Sequence, residues 1–255
     1  MRYFKGFWMS VGMFTGIPLP FHIWDEKLMP VMVMALPLVG AIIGGLWWAA
    51  GLLSVTLNPP VMLTAAILTV TPFFIAGFIH LDGYMDTSDA LLSRRDATDR
   101  LRILKDPHVG AFAVVMLAIL FLLQFAAMFS VVDGGQYLAL LIAVCVLSRA
   151  CSALSILTLR HMPESNYAAM LGKISRAPHR IFVIAILISA ISLAMLYAGL
   201  VGLIVSLTVI VTYALAMRVV YKSFNGVSGD LLGYALIIGE LCGLIALGLL
   251  QGVSL

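Results

Sequence analysis

The sequence predicts an all-α, polytopic integral membrane protein: a helix bundle of about seven transmembrane helices plus an N-terminal interfacial or re-entrant segment. Three observations predict it. Hydrophobic residues make up 62% of the 255 and charged residues only 11%, whereas soluble domains are nearer half apolar and a quarter charged. Mean hydropathy is +1.10. The apolar residues also come in continuous runs rather than alternating, which sets aside an outer-membrane barrel.

The chain opens MRYFKGFWMSVGMFTGIPLP. Positive charge followed by an apolar run suggests a secretory leader, but Pro18 and Pro20 interrupt the run and no small-x-small cleavage site follows. An interfacial or re-entrant segment is the expectation. Seven apolar segments then follow, roughly 31–57, 60–79, 110–132, 136–159, 180–198, 200–221 and 231–250, each near the length of a bilayer span. Pro37 and Pro72 are expected to kink their helices. Residues 1–255 are read as a single membrane-embedded domain. Cys145, Cys151 and Cys242 lie in apolar stretches with no CxxC, so neither a disulfide framework nor a zinc site is indicated.

Charge sets the orientation. Fourteen of the fifteen Lys and Arg fall in the N-terminal arm or in alternate connections, and all five His fall on that same side. The other connections are tiny: Asn58-Pro59, Asp133 to Gly135 and the turn near Gly199. The positive-inside rule makes the basic side cytoplasmic. The net charge of +3 therefore reports topology, and no nucleic-acid partner is expected; the lipid bilayer is. Polar chemistry gathered on one face suits an enzyme served from the cytoplasm better than a carrier. The exception is Arg149, which lies inside a span, as does Glu240. Charge at that depth is expensive and usually functional, and similar depth allows a mutual ion pair or a substrate contact.

One stretch concentrates carboxylates: HLDGYMDTSDALLSRRD, residues 80–96. Asp82, Asp86 and Asp89 are spaced i, i+4, i+7, so on a helix they fall within roughly 60° of one another. This places them on one face at the cytoplasmic end of the second span. Three such carboxylates repel unless protonated or neutralised by a cation. Oxygen-only donors favour Mg²⁺ or Mn²⁺, which leaves positions for water and substrate phosphate. The bland alternative is a solvated acidic helix end. His80 flanks the cluster as a candidate base or supporting partner. KDPHVGAF, residues 105–112, is a polar turn that could deliver a further ligand, Asp106, and a phosphate-binding cation, Lys105. NGVSGD, residues 225–230, is a small-residue loop. Ser228 or Asp230 could cap the last span, or Gly226, Gly229 and Asp230 could meet phosphate or its metal.

HLDGYMDTSDALL followed by LRILKDPHVGAF resembles the signature of the cobalamin synthase family, the adenosylcobinamide-GDP ribazoletransferases. FTGIPLP at 14–20, LSRA at 147–150, LGKISR at 171–176 and NGVSGDLLGYALIIGE at 225–240 resemble further family blocks, in the family's order. The chain departs from the pattern at Gly16, Ala90, Arg102, Pro107, His108, Asn225 and Ile237.

The resemblance implies a magnesium-dependent phosphotransferase of the bacterial inner membrane, acting late in coenzyme B12 biosynthesis with its active site on the cytoplasmic side. Its substrates would be adenosylcobinamide-GDP and α-ribazole or α-ribazole 5′-phosphate; its products would be adenosylcobalamin or its 5′-phosphate, and GMP. On this reading Asp82, Asp86 and Asp89 hold Mg²⁺ with Asp106, and one of the aspartates or His80 acts as base. Lys105, Arg149, Lys173, Gly226, Gly229 and Asp230 bind substrate. The alternatives are a CDP-alcohol phosphotransferase-like membrane enzyme, whose longer DG-x-x-A-R pattern is absent after Gly83, and a small-molecule transporter using Arg149 and Glu240. The sequence leaves a homo-oligomer open.

Overall fold

The computed structural model describes residues 1–21, 23–163, 165 and 177–252. The described residues are helical throughout, apart from turns and one isolated bridge between His161 and Val227. The helices are α1 (Arg2–Phe14), α2 (Met29–Met34), α3 (Leu36–Leu57), α4 (Val61–Ile75), α5 (Ile79–Leu92), α6 (Ala97–Leu104), α7 (Ala111–Gly134), α8 (Leu140–Thr158), α9 (Ala177–Phe224) and α10 (Gly229–Leu249). The expected all-α membrane bundle is therefore present. Five helices, α3 and α7 to α10, are long and apolar enough to cross a membrane, and α4 with α5 makes six if that bent pair is one span.

The 48 residues of α9 are not one rod. Ala198 and Gly199 leave helical geometry, and Gly199 takes φ +57. A Cβ at Gly202 would lie 2.0 Å from the Ala194 carbonyl oxygen. Eight residues along a straight helix rise about 12 Å, so the chain doubles back here. The two arms, 177–197 and 200–224, correspond to the fifth and sixth expected spans, and a count of about seven is consistent with this arrangement.

Two expectations about prolines and spans need correction. Pro37 does not kink a helix; it sits in the first turn of α3, where a missing N–H costs nothing. The second expected span, 60–79, is broken. Pro72 lies inside α4, which ends at Ile75. Gly77 and Phe78 both adopt positive φ, and α5 sets off at 94° to α4. The apolar run continues unbroken through this corner, so hydropathy alone does not reveal it. The three aspartates are consequently on a helix of their own, not at the tip of a straight span.

Small residues bring the helices together, as expected where no hydrophobic effect drives helices to associate within lipid. Along α3, Gly40 and Gly44 face α8 so closely that a Cβ would lie 2.4 Å from the Cys145 carbonyl oxygen and 2.7 Å from the Ile142 Cα, respectively. Buried polar groups then tie α4 to its neighbours: Trp47 Nε1 donates to the Leu68 carbonyl at 2.7 Å, and Gln124 Nε2 to the Thr69 carbonyl at 3.0 Å. The N-terminal segment packs onto the corner itself. The Gly16 N–H donates to the Ile75 carbonyl at 2.8 Å, and Cβ atoms on Gly16 and Gly77 would crowd each other's backbones.

These contacts predict contrasting outcomes for two neighbouring glycines. Gly40→Ala should destabilise the protein by about 1–3 kcal/mol, because the new methyl meets backbone that cannot retreat. Gly45→Ala, with nothing within 4 Å of the added carbon, should be neutral or slightly stabilising. Unfolding midpoints of both variants in detergent check the pair.

Candidate active site

The site is built where α5 crosses α10. Gly83 makes the crossing close: a Cβ there would sit 2.7 Å from the Asp230 Cα. One turn away, a Cβ at Gly233 would sit 3.0 Å from the His80 carbonyl oxygen. Tyr84 and Tyr234 stack across the same interface, ring centroids 5.6 Å apart, and the Tyr84 hydroxyl donates to the Met116 carbonyl of α7 at 3.2 Å. With Gly83, Tyr84, Thr87 and Ser88 buried in this contact, the other face of α5 is left for the carboxylates. Asp82 is exposed, and Asp86 and Asp89 are half-buried.

Asp82 lies in the first turn of α5 and Asp230 in the first turn of α10, where helix dipoles favour negative charge. Both line one cavity of about 400 Å³. His80, Ser152, Ser165, Ser228 and Gly229 add polar lining, and Phe14, Met29, Leu36 and Trp24 add apolar walls. His80 is buried, stacks on Phe14 at 6.2 Å, and keeps its Nε2 without a hydrogen-bond partner. Asp86 does not line this cavity, but it is in electrostatic contact with Asp82, Asp230 and Asp89.

Asp89 connects the first sequence block to the second. Its carboxylate rests against Gly110, the residue that caps the start of α7; a Cβ there would overlap it at 2.0 Å. The KDPHVG turn is thus docked against the aspartate helix at a position where any added side chain would have to push the Asp89 carboxylate aside. Within the turn, Asp106 accepts hydrogen bonds from the His108 N–H at 3.0 Å and from the His108 ring at 2.7 Å. The backbone N–H, then the ring, holds the Asp106 carboxyl below the usual carboxylate range. Asp106 and Lys105 are both exposed, and α6, which Lys105 ends, packs against α5. Asp96 is the N-cap of α6, accepting from the Asp99 N–H at 2.9 Å.

The last loop divides its roles. Ser228 is the N-cap of α10, its hydroxyl accepting from the Leu231 N–H at 3.4 Å. Gly226 packs against the Met162 backbone, 2.7 Å from where its Cβ would be, in the bridge between 160–162 and Val227. It does not line the cavity, whereas Gly229 does, with open space around it. Lys173 and the LGKISR block lie outside the described residues, as does His22.

Arg149 and Glu240 form a buried ion pair between α8 and α10. Arg149 is 2% exposed and Glu240 8%. Ser148 donates to the same Glu240 oxygen at 2.7 Å, and Arg149 also donates to the Cys145 carbonyl at 3.2 Å. Arg149 does not line the 400 Å³ cavity. It meets His80 on the wall of a much smaller void. The mutual pair anticipated from equal depth is therefore formed.

Sequence reasoning missed the contribution of the N-terminal segment, which lines the cavity with Phe14 and Trp24. The available signal was the aromatic density of residues 3–24 in a stretch too interrupted to span a bilayer. Among the described residues, no three or more His, Cys, Asp or Glu side chains are grouped so as to hold a metal ion on their own. Asp82 and Asp230 nevertheless offer oxygen donors in one cavity, with Asp86 in electrostatic contact with both.

Fold and site together define a polytopic membrane protein with an acidic, partly apolar cavity assembled from widely separated sequence blocks. The chain belongs to the cobalamin-5-phosphate synthase family, whose model matches residues 6–248. It is 36% identical over 243 residues to an adenosylcobinamide-GDP ribazoletransferase of Clostridium botulinum, covering 95% of this chain and 96% of that one. It is 33% identical over 258 residues to the protein of that name from Lachnoclostridium phytofermentans, covering 99% and 97%. A Geobacillus thermodenitrificans protein of the same name is 32% identical over 245 residues, covering 92% of each. No solved structure matches the chain.

The ion pair predicts a non-additive mutant series. Arg149→Met alone leaves the Glu240 carboxylate buried without its partner and should cost about 3–5 kcal/mol. Adding Glu240→Leu should recover most of that loss. Thermal unfolding of the single and double variants in detergent measures the difference. In parallel, Gly110→Ala should sharply reduce activity by displacing Asp89, while its far-ultraviolet circular dichroism stays helical.

Proposed function

We propose that this chain transfers the adenosylcobinamide-phosphate moiety of adenosylcobinamide-GDP to α-ribazole or α-ribazole 5′-phosphate. A ribose ring hydroxyl, free in both acceptors whereas the 5′ position of α-ribazole 5′-phosphate is already esterified, attacks the phosphorus on the cobinamide side of the diphosphate, the bond to the bridging oxygen breaks, and GMP leaves. The attacking hydroxyl's proton passes to a base. The product is adenosylcobalamin or its 5′-phosphate. The observation that carries this reading is the joining of family blocks around one cavity: Asp82 and His80 from the first, Asp230 from the last, with the second docked on Asp89.

The donor set suits Mg²⁺. Magnesium takes one or two carboxylates and fills its remaining positions with water and substrate phosphate, so a group of carboxylates that does not close into a cage by itself fits its use. Asp82 and Asp86 would hold the ion, with Asp230 facing them and Asp89 and Asp106 supporting from the docked turn. When bound, the ion neutralises charge building on the transferred phosphoryl group and the departing GMP. The hydroxyl proton passes to one of the aspartates or to His80, which lines the same cavity. Lys105 and Lys173 are assigned to phosphate oxygens. We assign the protein to the bacterial inner membrane with this cavity on the cytoplasmic face, a placement that the one-sided distribution of Lys and Arg supports.

The test is turnover by detergent-purified protein given adenosylcobinamide-GDP and α-ribazole, with GMP release as the readout. Activity should vanish with EDTA and return with Mg²⁺. Asp82→Asn and Asp86→Asn should lower kcat by at least about a thousandfold while membrane insertion is unchanged. Normal GMP release by both variants would defeat the assignment. Turnover only with a CDP-linked lipid donor would replace it with a CDP-alcohol phosphotransferase.

A further inference from the structure

The cavity that holds Asp82 and Asp230 is acidic at its open end and apolar at depth. Asp82 is exposed there, and Trp24 beside it is 47% exposed. The inner walls come from α8 and α10, each of which presents two residues one turn apart: Ser152 and Ile156 from α8, Leu232 and Leu236 from α10. Ile156 and Leu236 are each 1% exposed. Leu36, the first residue of α3, closes the same end and is also buried. Leu236 lies six residues beyond Asp230, about 9 Å along the helix. The cavity therefore runs inward from the carboxylates by the length of a flat two-ring group. The Ser152 hydroxyl on the inner wall already donates to the Ser148 carbonyl at 3.1 Å.

Size and polarity restrict what this inner end can take. Pockets that enclose a drug-sized molecule measure about 300–1,000 Å³, and the described residues enclose about 400 Å³ here. A corrinoid carrying adenosyl and GDP is several times too large to enter whole. Guanine, the donor's own flat group of fitting size, carries hydrogen-bonding atoms around most of its edge, and such atoms are costly to bury unpaired. Leu36, Ile156, Leu232 and Leu236 have no side-chain partners to give them. The base of a ribazole is flat and uncharged, with two methyl groups and a single free lone pair on its rings.

Resting on the ribazoletransferase reading, we infer that the apolar inner end of the carboxylate cavity binds the base of the acceptor nucleoside. Ile156, Leu232 and Leu236 set its fit, and the corrinoid stays outside while its diphosphate reaches in to the carboxylates. With the base against Leu232 and Leu236, the ribose lies level with Asp82 and Asp230, where a ring hydroxyl meets the phosphorus. Displacement at phosphorus needs the attacking and leaving oxygens roughly in line. Attack from the inner end sends GMP toward the opening. The 5′ substituent, hydroxyl or phosphate, is not part of the seat of the base, so both acceptors fit it. The acceptor also lies inside the donor, so it binds first.

The test is steady-state kinetics of the full-length protein, varying each substrate in turn, with free 5,6-dimethylbenzimidazole as the probe. The free base should inhibit competitively against α-ribazole and not against adenosylcobinamide-GDP. Ile156→Phe, which narrows the inner end, should raise KM for α-ribazole by about 10-fold or more, the scale on which a pocket senses a methylene, and leave the donor's KM unchanged. Leu232→Ala, which widens it, should admit a nucleoside whose base has a third fused ring, an acceptor the wild type refuses. Competition of the free base with the donor, no inhibition by it, or a rise in the donor's KM alone overturns the inference. Should Ile156→Phe fail to insert, the inhibition pattern of the wild type decides. Wild-type protein that does not turn over adenosylcobinamide-GDP would defeat the functional reading itself. Active wild type in which the free base competes with the donor would defeat only the placement of the acceptor.

Discussion

The right-angle break between α4 and α5 is the constraint on which the site depends. A helix running on from Ile75 would carry Asp82, Asp86 and Asp89 along the axis of α4. The turn through Gly77 and Phe78, both at positive φ, sends α5 off at 94° instead. Positive φ strains a residue with a side chain and is costless for glycine, so Phe78 needs support from its surroundings. The support is visible: its N–H donates to the Phe73 carbonyl at 3.0 Å, and Gly16 seats the N-terminal segment on the same corner. Once α5 is turned, Gly83 and Gly233 let it lie against α10, and Asp230 arrives beside Asp82.

Beneath this crossing lies the Arg149–Glu240 pair. In the membrane interior neither charge is tolerable alone, and the two satisfy each other with help from Ser148 and the Cys145 carbonyl. The pair joins α8 to α10, and Arg149 reaches the wall shared with His80. The same α8 is gripped by Gly40 and Gly44 of α3. The cavity is therefore walled on one side by closely packed helices joined by this ion pair, and on another by the N-terminal segment, whose Met9, Val11 and Phe14 are buried in the same core. A rigid wall suits phosphoryl transfer, where precise placement of charge carries most of the catalysis.

Much of this was legible in the residues, and the rest failed for identifiable reasons. Spans could be read because the bilayer demands long apolar runs, and the ion pair because two charges at equal depth have few alternatives. The i, i+4, i+7 spacing put the aspartates on one helical face, as α5 bears out. The corner after Ile75 escaped because FFIAGFIHL is as apolar as a straight helix would be. Pro37 was misjudged because a proline in a long apolar run reads the same whether it bends a helix or starts one. Gly226 looked like a phosphate contact, yet its freedom is spent on the approach of the Met162 backbone.

By itself the sequence determined the solvent of this protein, the helical class, the helix carrying the carboxylates and the family, since each follows from composition, periodicity or local residue order. Only the tertiary structure decided that Asp230 stands beside Asp82, that Asp89 rests on Gly110, and that Phe14 and Trp24 line the same cavity. Those contacts join residues many positions apart. They are set by where glycines allow backbones to touch and where a single turn redirects a helix, and no local pattern in the chain records either.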